Sequence, residues 1–475
     1  MIFIVIFPVE IQQEEFNLTD IKKLVKANRI FFDSGKTKEL SFRIKQLKLL
    51  KTIIEDKEDK ITQALKEDLH KPPLTSFATE IGLVIKEIDL LLKKIKSWSK
   101  PEKVKTSLMH FWSRSYIYKE PYGVVLIFAP WNYPFQLLLL PLVGAIAAGN
   151  TVILKPSEFA PATSAIVSQL IQNNFSQDYI KVIEGEAEVS KSLLQENFDY
   201  IFFTGSKQVG KKVMKAAAEN LTPVTLELGG KSPCIINEDA NIDLAARRIV
   251  WGKFLNAGQI CVAPDYLLLH RQIKEEFLQK AKEYIKEFFG EKPENSPDYC
   301  RIINEKHFDK LLNLMKEGEI ITGGKSNRDE LYLAPTIIDK IEWDDLVMQE
   351  EIFGPILPVI EFHDITKIIN RIKDRPNPLA LYIFSKNKNL QNRLLEELRF
   401  GGGCINDTII HVSSPYLPFG GIGESGMGVY HGQSSFETFT HKKSIIKKTT
   451  LFDLPLRYPP YKGKLKLLKK FFNWF

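Results

Sequence analysis

A carboxylate and a thiol that together could perform covalent acyl chemistry stand 34 positions apart in the sequence. Glu227 ends the strand-like run VTLEL and precedes two glycines, and Cys261 follows the polar stretch NAGQ. A glutamate can act as a general base, and a thiol on a polar loop can have the lowered pKa that a nucleophile needs. Each residue also has a purely structural interpretation, as the rim of a sheet and as a packed thiol, so the pair alone leaves the function open.

The other three cysteines lie in sequence contexts that differ from that of Cys261. Cys234 and Cys404 lie in apolar, strand-like stretches and are predicted to be core residues, whereas the context of Cys300 is ambiguous. No CxxC pair occurs, which argues against a zinc knuckle, and four scattered cysteines are too few for a disulfide framework. We therefore expect a protein of a reducing compartment with no metal site.

Asn132 lies in the proline-bracketed turn APWNYP, between the apolar run GVVLIF and an apolar segment at residues 135–148. The run is typical of a buried parallel strand, and the segment of a core helix. The asparagine could cap that helix, or its amide could donate a hydrogen bond to an oxyanion. A strand before it would bring it to the same sheet edge as Glu227, where α/β proteins hold their sites.

Two further turns after predicted strands carry groups that suit a nucleotide. The stretch TGSKQVGKK opens a helix and nearly matches the P-loop pattern, but Lys212 stands where a serine or threonine must hold Mg²⁺, which argues against an NTPase. Gly205 and Ser206 still form a strand–helix turn whose backbone N–H groups can bind a dinucleotide pyrophosphate. After another strand, Lys155 and Glu158 offer a cation and a carboxylate for ribose hydroxyls.

Seven motifs follow one another in a recognisable order. They are APWNYP at 129–134, KPSE at 155–158, FTGS at 203–206, LELGGKSP at 226–233, GQIC at 258–261, EEIFGP at 350–355 and PFGGIGESGMG at 418–428. Together they resemble the NAD(P)-dependent aldehyde dehydrogenase family over roughly residues 20–450. The stretches APDY, FETFTHKKS and RYPPY resemble its class 3 branch, which includes fatty aldehyde dehydrogenases.

The resemblance implies a role for each candidate residue. Cys261 would attack the aldehyde carbonyl, and the amide of Asn132, with the backbone N–H of the cysteine, would hold the oxyanion of the thiohemiacetal. Hydride would leave to the nicotinamide of NAD or NADP, and Glu227 would activate the water that hydrolyses the thioester. The residues implied in cofactor binding are Lys155 and Glu158 at the adenosine ribose, Gly205 and Ser206 at the nucleotide turn, and Glu351 and Phe353 at the nicotinamide ribose and ring.

The implied reaction is oxidation of an apolar aldehyde, either medium- or long-chain aliphatic or aromatic, to the carboxylic acid. A coenzyme A-acylating or reductive relative is one alternative, but thiol transfer does not need a water-activating base such as Glu227. A non-enzymatic, membrane-associated scaffold is another, and the intact catalytic residues argue against it. The choice between NAD and NADP stays open, because Glu158 would repel a 2′-phosphate whereas Lys155 could accommodate one.

The pattern of strands and helices around these residues predicts an α/β fold. A length of 475 residues suits two or three domains. Helical periodicity at 18–92, with a helix start at Thr79–Glu80, precedes an alternation typical of a doubly wound, Rossmann-like sheet. We predict an aldehyde dehydrogenase-like fold with an NAD(P)-binding domain at 18–99 and 119–228, an α/β catalytic domain at 229–424, a β-ribbon oligomerisation element at 100–118 and 425–447, and a basic amphipathic tail at 448–475.

The chain ends in a basic segment. Residues 441–475 contain ten Lys or Arg and one Asp, which gives them a net charge of +9 in a chain of net charge +7. Leu465, Leu468, Phe472 and Phe475 fall on one side of a helix. This pattern suits packing on the body or on a dimer partner as well as it suits a membrane surface.

The apolar start of the chain, residues 1–9, is interpreted as neither a signal peptide nor a membrane span, because it is short and Pro8 interrupts it. We expect a cytoplasmic homodimer that acts on a small-molecule aldehyde and does not bind nucleic acid. Peripheral membrane contact through the tail is a further option.

Overall fold

The structure, a computed structural model, describes residues 18–107, 110 and 112–473. They divide into two compact units, a larger one of residues 18–98 and 121–440 and a smaller one of residues 99–120 and 441–473. The predictions for residues 1–17 and for Phe475 concern residues outside the described part.

The strands are numbered in chain order. They are β1 (Glu102–Val104), β2 (Ser113–Pro121), β3 (Val124–Phe128), β4 (Thr151–Lys155), β5 (Ile180–Val182), β6 (Tyr200–Gly205), β7 (Val224–Leu228), β8 (Pro233–Ile236), β9 (Tyr266–His270), β10 (Glu319–Thr322), β11 (Ser326–Asn327), β12 (Tyr332–Leu333), β13 (Thr336–Asp339), β14 (Ile356–Phe362), β15 (Ala380–Phe384), β16 (Gly402–Ile405), β17 (Gly426–Met427) and β18 (Thr440–Lys448).

The α-helices are numbered in the same way. They are α1 (Leu18–Asp33), α2 (Leu40–Asp56), α3 (Glu58–Leu69), α4 (Pro73–Ser76), α5 (Gly82–Trp98), α6 (Gln136–Ala148), α7 (Pro161–Asn174), α8 (Ala187–Leu194), α9 (Lys207–Glu219), α10 (Ile242–Phe254), α11 (Lys274–Phe289), α12 (Glu305–Leu314), α13 (Ile365–Lys373), α14 (Lys388–Glu397), α15 (Gln433–Thr438) and α16 (Lys464–Phe472). A π-helical turn, Phe77–Ile81, joins α4 to α5.

The first sheet of the larger unit has, within the described ranges, six strands in the order β17-β7-β6-β3-β4-β5. β17 is antiparallel to β7, and the other neighbours are parallel. All residues of β3 and β4 are buried, as parallel strands covered on both faces require. The predicted core helix at 135–148 is α6, in which every residue is buried and which packs against α2, α5 and α15.

The carboxyl ends of the central strands meet at one edge of this sheet. Phe128, at the end of β3, pairs in register with Lys155 of β4 and with Phe203 of β6. Thr204 in turn pairs with Glu227 of β7. The prediction that the turn after β3, which carries Asn132, shares an edge with Glu227 is therefore confirmed.

A second sheet follows Gly230, as the sequence predicts. Its order in the described part is β10-β13-β14-β9-β8-β15-β16, with β10 antiparallel to β13 and the remaining neighbours parallel. Cys234 is buried in β8, as expected, but Cys404 on β16 is only partly buried and not a core residue. Its strand is the last one of this sheet, so one side of it lacks a neighbouring strand.

The smaller unit contains a three-stranded sheet of described residues, in the order β1-β2-β18. The ammonium of Lys447 lies over the rings of Tyr116 and Tyr118, 5.1 and 5.6 Å from their centroids. The residues assigned from sequence to the ribbon at 425–447 are divided between two sheets, because β17 pairs with β7 and only β18 joins this one. No helix within the described part has both the length and the apolar character needed to cross a membrane.

Candidate active site

A cavity of about 700 Å³ opens at the carboxyl edge of the first sheet. It is lined by seven of the nine residues that the sequence singles out, namely Asn132, Gly205, Ser206, Glu227, Cys261, Glu351 and Phe353. Lys155 and Glu158 are not among its lining residues. No group of three or more His, Cys, Asp or Glu among the described residues is arranged to hold a metal ion.

The loop that carries Cys261 is held by unusual backbone geometry. The 3₁₀ turn Leu255–Gly258 after α10 includes Asn256 and Ala257 at φ 50° and 51°, and Gly258 at φ 73°. A Cβ on Gly258 would lie 2.3 Å from the carbonyl oxygen of Gly354, so only glycine fits there. The cysteine is therefore presented from a strained, closely packed turn.

Gln259 fixes the same loop from inside. Its side chain is fully buried, donates to the carbonyl of Arg301 at 2.9 Å and accepts from the backbone N–H of Ile303 at 3.0 Å. Buried amide hydrogen bonds of this kind make a loop rigid, since breaking them would leave polar groups unpaired. The sequence shows the polar stretch before Cys261 but not the partners of Gln259, which lie more than 40 positions further on.

The thiol of Cys261 is partly buried, and its electrostatic surroundings differ from the expectation. Burial raises the pKa of the thiol, and the negative charges of Glu351 and Glu227 raise it further. The expected lowering of the pKa is thus wrong for this arrangement, because acids rather than cations face the sulfur. A proton acceptor is needed when the sulfur attacks.

Glu227 is the most weakly satisfied acid of the cavity. It is 3% exposed, and neither carboxylate oxygen has a hydrogen-bond partner within the described residues. Burial raises the pKa of this carboxyl well above its usual value. A carboxyl whose pKa moves toward neutrality can both take up and release a proton near pH 7.

Asn132 does not cap α6, whose N-cap residue is Phe135. Its Nδ2 donates to the carbonyl oxygen of Gln259 at 2.9 Å, and its own carbonyl accepts from Nδ2 of Asn256 at 2.9 Å. A primary amide has two N–H groups, so one remains for a ligand. The turn after β3 and the cysteine loop are thereby tied to each other.

Glu351 and Phe353 lie on the segment EEIFGP opposite the thiol loop. The carboxylate of Glu351 accepts from the backbone N–H of Gly230, and a Cβ on Gly229 would lie 1.8 Å from it. Burial, followed by the charge of Asp265, raises the pKa of Glu351 to about 8. Phe353 has φ 55°, and its ring meets that of Trp131 edge to face at 5.3 Å.

Two lysines near this segment, one partly and one fully buried, were not predicted from the sequence. Lys231 donates to Asp265 at 2.7 Å and to the carbonyls of Val347 and Glu350 at 2.6 and 3.1 Å. Lys253 is fully buried without a hydrogen-bond partner in the described part, and burial lowers its pKa to about 8. The lysine in LELGGKSP was visible in the motif, whereas nothing in the local sequence marks Lys253.

The turn after β6 fits a dinucleotide phosphate. Ser206 is the N-cap of α9, its Oγ accepts from the backbone N–H of Val209 at 3.4 Å, and a Cβ on Gly205 would lie 2.6 Å from the ring of Phe203. Lys207 and Lys211, in the first two turns of α9, also line the cavity. A helix N-terminus with two cations beside it suits the pyrophosphate of NAD or NADP.

Lys155 ends β4, which β3 separates from β6, and Glu158 follows three residues later. Nζ of Lys155 donates to the carbonyl of Pro156 at 2.7 Å and lies 3.5 Å from the carboxylate of Glu158. The lysine side chain is 2% exposed and the glutamate 31%, so only the carboxylate reaches solvent to a large extent. Both stand at the sheet edge at which the nucleotide turn also begins.

Comparisons with known proteins agree with this fold. The model of the aldehyde dehydrogenase family matches residues 10–445. The 4,4'-diaponeurosporen-aldehyde dehydrogenase of Staphylococcus aureus is 50% identical over 448 residues, 94% of this chain and 98% of that protein. A mouse relative named aldehyde dehydrogenase, dimeric NADP-preferring, is 44% identical over 94% of this chain and 99% of its own length.

A solved structure of Staphylococcus aureus AldH in a substrate-bound state is also similar, with a TM-score of 0.94, 49% identity and coverage of 96% of this chain and 100% of that one. The chain belongs to the aldehyde dehydrogenase family. It is an oxidoreductase that oxidises an aldehyde with NAD or NADP.

Proposed function

We propose that the chain oxidises apolar aldehydes, medium- or long-chain aliphatic or aromatic, to carboxylic acids through a thioester on Cys261. The observation that carries the proposal is that Cys261, Glu227 and Asn132 line one cavity, with both oxygens of the glutamate free of hydrogen-bond partners in the described part. A thiol, a base and an amide donor are the groups that covalent oxidation of an aldehyde needs.

In the first half-reaction, the sulfur of Cys261 bonds to the aldehyde carbon, and the thiol proton passes to one of the two acids whose charges reach the sulfur, Glu227 or Glu351. The second amide N–H of Asn132 and the backbone N–H of the cysteine donate to the oxyanion of the thiohemiacetal. When bound, NAD or NADP supplies the acceptor for the hydride that leaves this carbon. The carbon is thereby oxidised to a thioester.

In the second half-reaction, Glu227 takes a proton from water as the oxygen attacks the thioester carbon. If Glu227 received the thiol proton in the first half-reaction, it has passed that proton to solvent before it acts on water. The C–S bond then breaks, the carboxylic acid leaves, and the sulfur takes a proton back from Glu227, which restores both the thiol and the base. The raised pKa of the buried glutamate makes it a stronger base than an exposed one. We assign Gly205, Ser206, Lys155 and Glu158 to the adenosine side of the cofactor and Glu351 and Phe353 to its nicotinamide side.

Apolar substrates are favoured by the side chains that share the cavity with the thiol, among them Leu137, Phe419 and Tyr430. The staphylococcal relative is named for an apolar aldehyde, 4,4'-diaponeurosporen-aldehyde. A kinetic screen of straight-chain and aromatic aldehydes with NAD⁺ and NADP⁺ tests the substrate class. Better turnover of short, charged aldehydes would contradict it.

The covalent mechanism is tested by Cys261→Ala. We expect it to abolish aldehyde-dependent formation of reduced cofactor, whereas Cys404→Ala, a matched change at another partly buried cysteine outside the cavity, keeps wild-type turnover. Wild-type protein should release the acid without added coenzyme A, which excludes an acylating relative. Undiminished turnover by Cys261→Ala would remove the proposal.

We also infer that two copies associate through the smaller unit. Its outer strand, β18, is exposed from residue 441 to 448, and an exposed edge strand is a template for pairing with a second strand. The mouse relative is named dimeric. Sedimentation of the wild type should give a dimer and that of Ile446→Pro a monomer; a wild-type monomer would contradict the inference.

Peripheral membrane contact of the tail remains our proposal for α16. Leu465, Leu468 and Phe472 are exposed beside Lys466 and Lys469, a pattern that suits an anionic lipid surface. Pelleting with vesicles of phosphatidylcholine and phosphatidylserine should require residues 451–475. Equal pelleting of the full chain and of the shortened chain would remove the membrane proposal.

A further inference from the structure

A fully buried ion pair lies behind the turn that carries Asn132. Lys71, just after α3, and Glu80, in the π-helical turn, are both 0% exposed, and their side chains form a salt bridge. An ion pair removed from water costs more desolvation than an apolar pair of the same size, so it is a poor device for stability alone. The contacts of the two charges indicate what else they do.

The ammonium of Lys71 reaches the beginning of the turn. It donates to the backbone carbonyl of Asn132 at 3.3 Å and lies 4.1 Å from the centroid of the Tyr133 ring. A cation over an aromatic face and a charge-assisted hydrogen bond each restrain the partner group. One side chain thus holds two consecutive residues.

The carboxylate of Glu80 reaches the end of the same turn. Its Oε2 accepts from the backbone N–H groups of Phe135 and Gln136, at 3.1 and 3.0 Å. These are the N-cap and the first residue of α6, whose N-cap side chain makes no capping hydrogen bond, and an anion is favourable at a helix N-terminus. The two charges therefore clamp the turn at both of its ends.

The π-helical turn is what brings Glu80 to this position. π-helical turns are rare and frequently occur at functional sites. Gly82 follows it at a point where a Cβ would lie 2.9 Å from the carbonyl oxygen of Phe77, so the tight path needs a glycine. The backbone is distorted at the place from which the carboxylate reaches α6.

We propose that Lys71 and Glu80 are positioning residues for aldehyde oxidation, which clamp residues 132–136 so that the amide of Asn132 stays directed at the oxyanion. The inference rests on the proposed function, since it acts through Asn132. The carbonyl of Asn132 keeps its second hydrogen bond, from Asn256, when the pair is removed. The turn is then loosened rather than lost.

The test is a double variant, Lys71→Met/Glu80→Met, which removes both charges and leaves no unpaired one. We expect kcat to fall roughly 10- to 100-fold, as for a displacement of about 1 Å at a reacting group, with cofactor affinity and the aldehyde KM changed less than about twofold. The control variant, Lys274→Met/Asp339→Asn, removes an ion pair of 2.8 Å that does not line the cavity and should keep wild-type kcat.

A coupling measurement separates positioning from a general loss of structure. Asn132→Ala should lower kcat by about 10²- to 10³-fold, and adding Lys71→Met/Glu80→Met to it should lower kcat no further. Wild-type kcat in the double variant, or losses that multiply in the triple variant, would overturn the clamp alone. Wild-type kcat in Asn132→Ala would overturn the proposed function together with the clamp.

A second variant covers the case in which the double variant does not fold. Lys71→Arg keeps the positive charge but changes its shape, and we expect it to lower kcat without changing cofactor affinity measured by fluorescence titration. The fall in kcat caused by Lys71→Arg should again be absent when Asn132 has already been replaced by alanine. A Lys71→Arg protein with wild-type kcat would overturn the clamp.

Discussion

Glu80 and Glu227 are two glutamates buried to almost the same degree whose partners differ completely. Glu80 forms a salt bridge with Lys71 and accepts two backbone hydrogen bonds. Glu227 has no hydrogen-bond partner for either oxygen within the described residues. Burial raises the pKa of both carboxyls, but only at Glu80 do a cation and N–H donors act against that rise.

The difference separates a carboxylate that holds the backbone from one that can take part in chemistry. A buried polar group without partners costs free energy, and proteins rarely retain one without a use for it. Glu227 lines the cavity beside Cys261, whereas Glu80 lies behind the turn. Burial alone would not have distinguished the two residues.

The largest expected effect comes from removing the base. Glu227→Gln should lower steady-state kcat by about 10²- to 10⁴-fold, because water attack on the thioester loses its general base. A pre-steady-state burst of reduced cofactor should persist, since hydride leaves before hydrolysis. Stopped-flow absorbance measures both quantities.

Glu350→Gln is the control for that change, because Glu350 lines the same cavity with an exposed side chain. It should leave kcat within about twofold of wild type, as surface charges contribute little. If Glu227→Gln abolished the burst amplitude as well as turnover, the main role of the Glu227 carboxylate would be in thiol activation rather than in hydrolysis.

Glu80→Gln should give the next largest effect, on stability. It leaves Lys71 buried without its counter-ion, which costs about 3–5 kcal/mol in comparable cases. We expect a clear fall in Tm by scanning calorimetry at pH 7. An unchanged Tm would show that the pair is not restraining the fold as its contacts indicate.

Glu227→Gln should change stability in the opposite direction and in a pH-dependent way. The folded-state pKa of Glu227 is raised, so its contribution is fully present below the unfolded pKa of about 4.3 and is lost as pH rises through the folded pKa. The neutral glutamine avoids that loss. Glu227→Gln should therefore have a higher Tm than wild type at pH 8, and the difference should shrink toward pH 5. If the two proteins had the same Tm at pH 8 and at pH 5, the raised pKa of Glu227 would be contradicted.

The smallest expected effect concerns a third glutamate, Glu158, which neither holds the backbone nor lacks a partner. Glu158 is partly exposed and pairs with Lys155 at 3.5 Å. Glu158→Gln should lower the KM for NADP⁺ by about threefold to fivefold relative to NAD⁺, because a charge near solvent contributes up to about 1 kcal/mol. Initial rates with each cofactor measure the ratio, and an unchanged ratio would place Glu158 away from the 2′-position.

The sequence predicts the sheet edge well because strand ends and turns are local features. The run before Asn132, the glycine turn at 205 and the strand that ends near Glu227 could each be assigned from a few neighbouring residues. The register of parallel strands then brings their carboxyl ends together without further information. The α/β fold and the family resemblance follow from the same motifs.

The clamp formed by Lys71 and Glu80 and the direction of the pKa shift of Cys261 could not be predicted from the sequence. The residues that interact in each case are distant from one another along the chain. Lys71 contacts Asn132, 61 positions away, and Glu80 contacts Gln136, 56 positions away. The sequence predicts only a helix start at Glu80, since a π-helical turn has no clear sequence pattern. The pKa of Cys261 depends on acids 34 and 90 positions away, which explains why its direction was predicted wrongly.

Helix α6 has a consequence for how the chain reaches this state. All thirteen of its residues are buried, so no face of it can meet water in the finished protein. While the chain is still being made or is partly folded, the same stretch is an apolar segment without cover, of the kind that chaperones bind and that aggregates at high concentration. The turn that carries Asn132 leads directly into this buried helix, so we expect errors in folding to appear as inactive aggregate rather than as a soluble enzyme with a misaligned site.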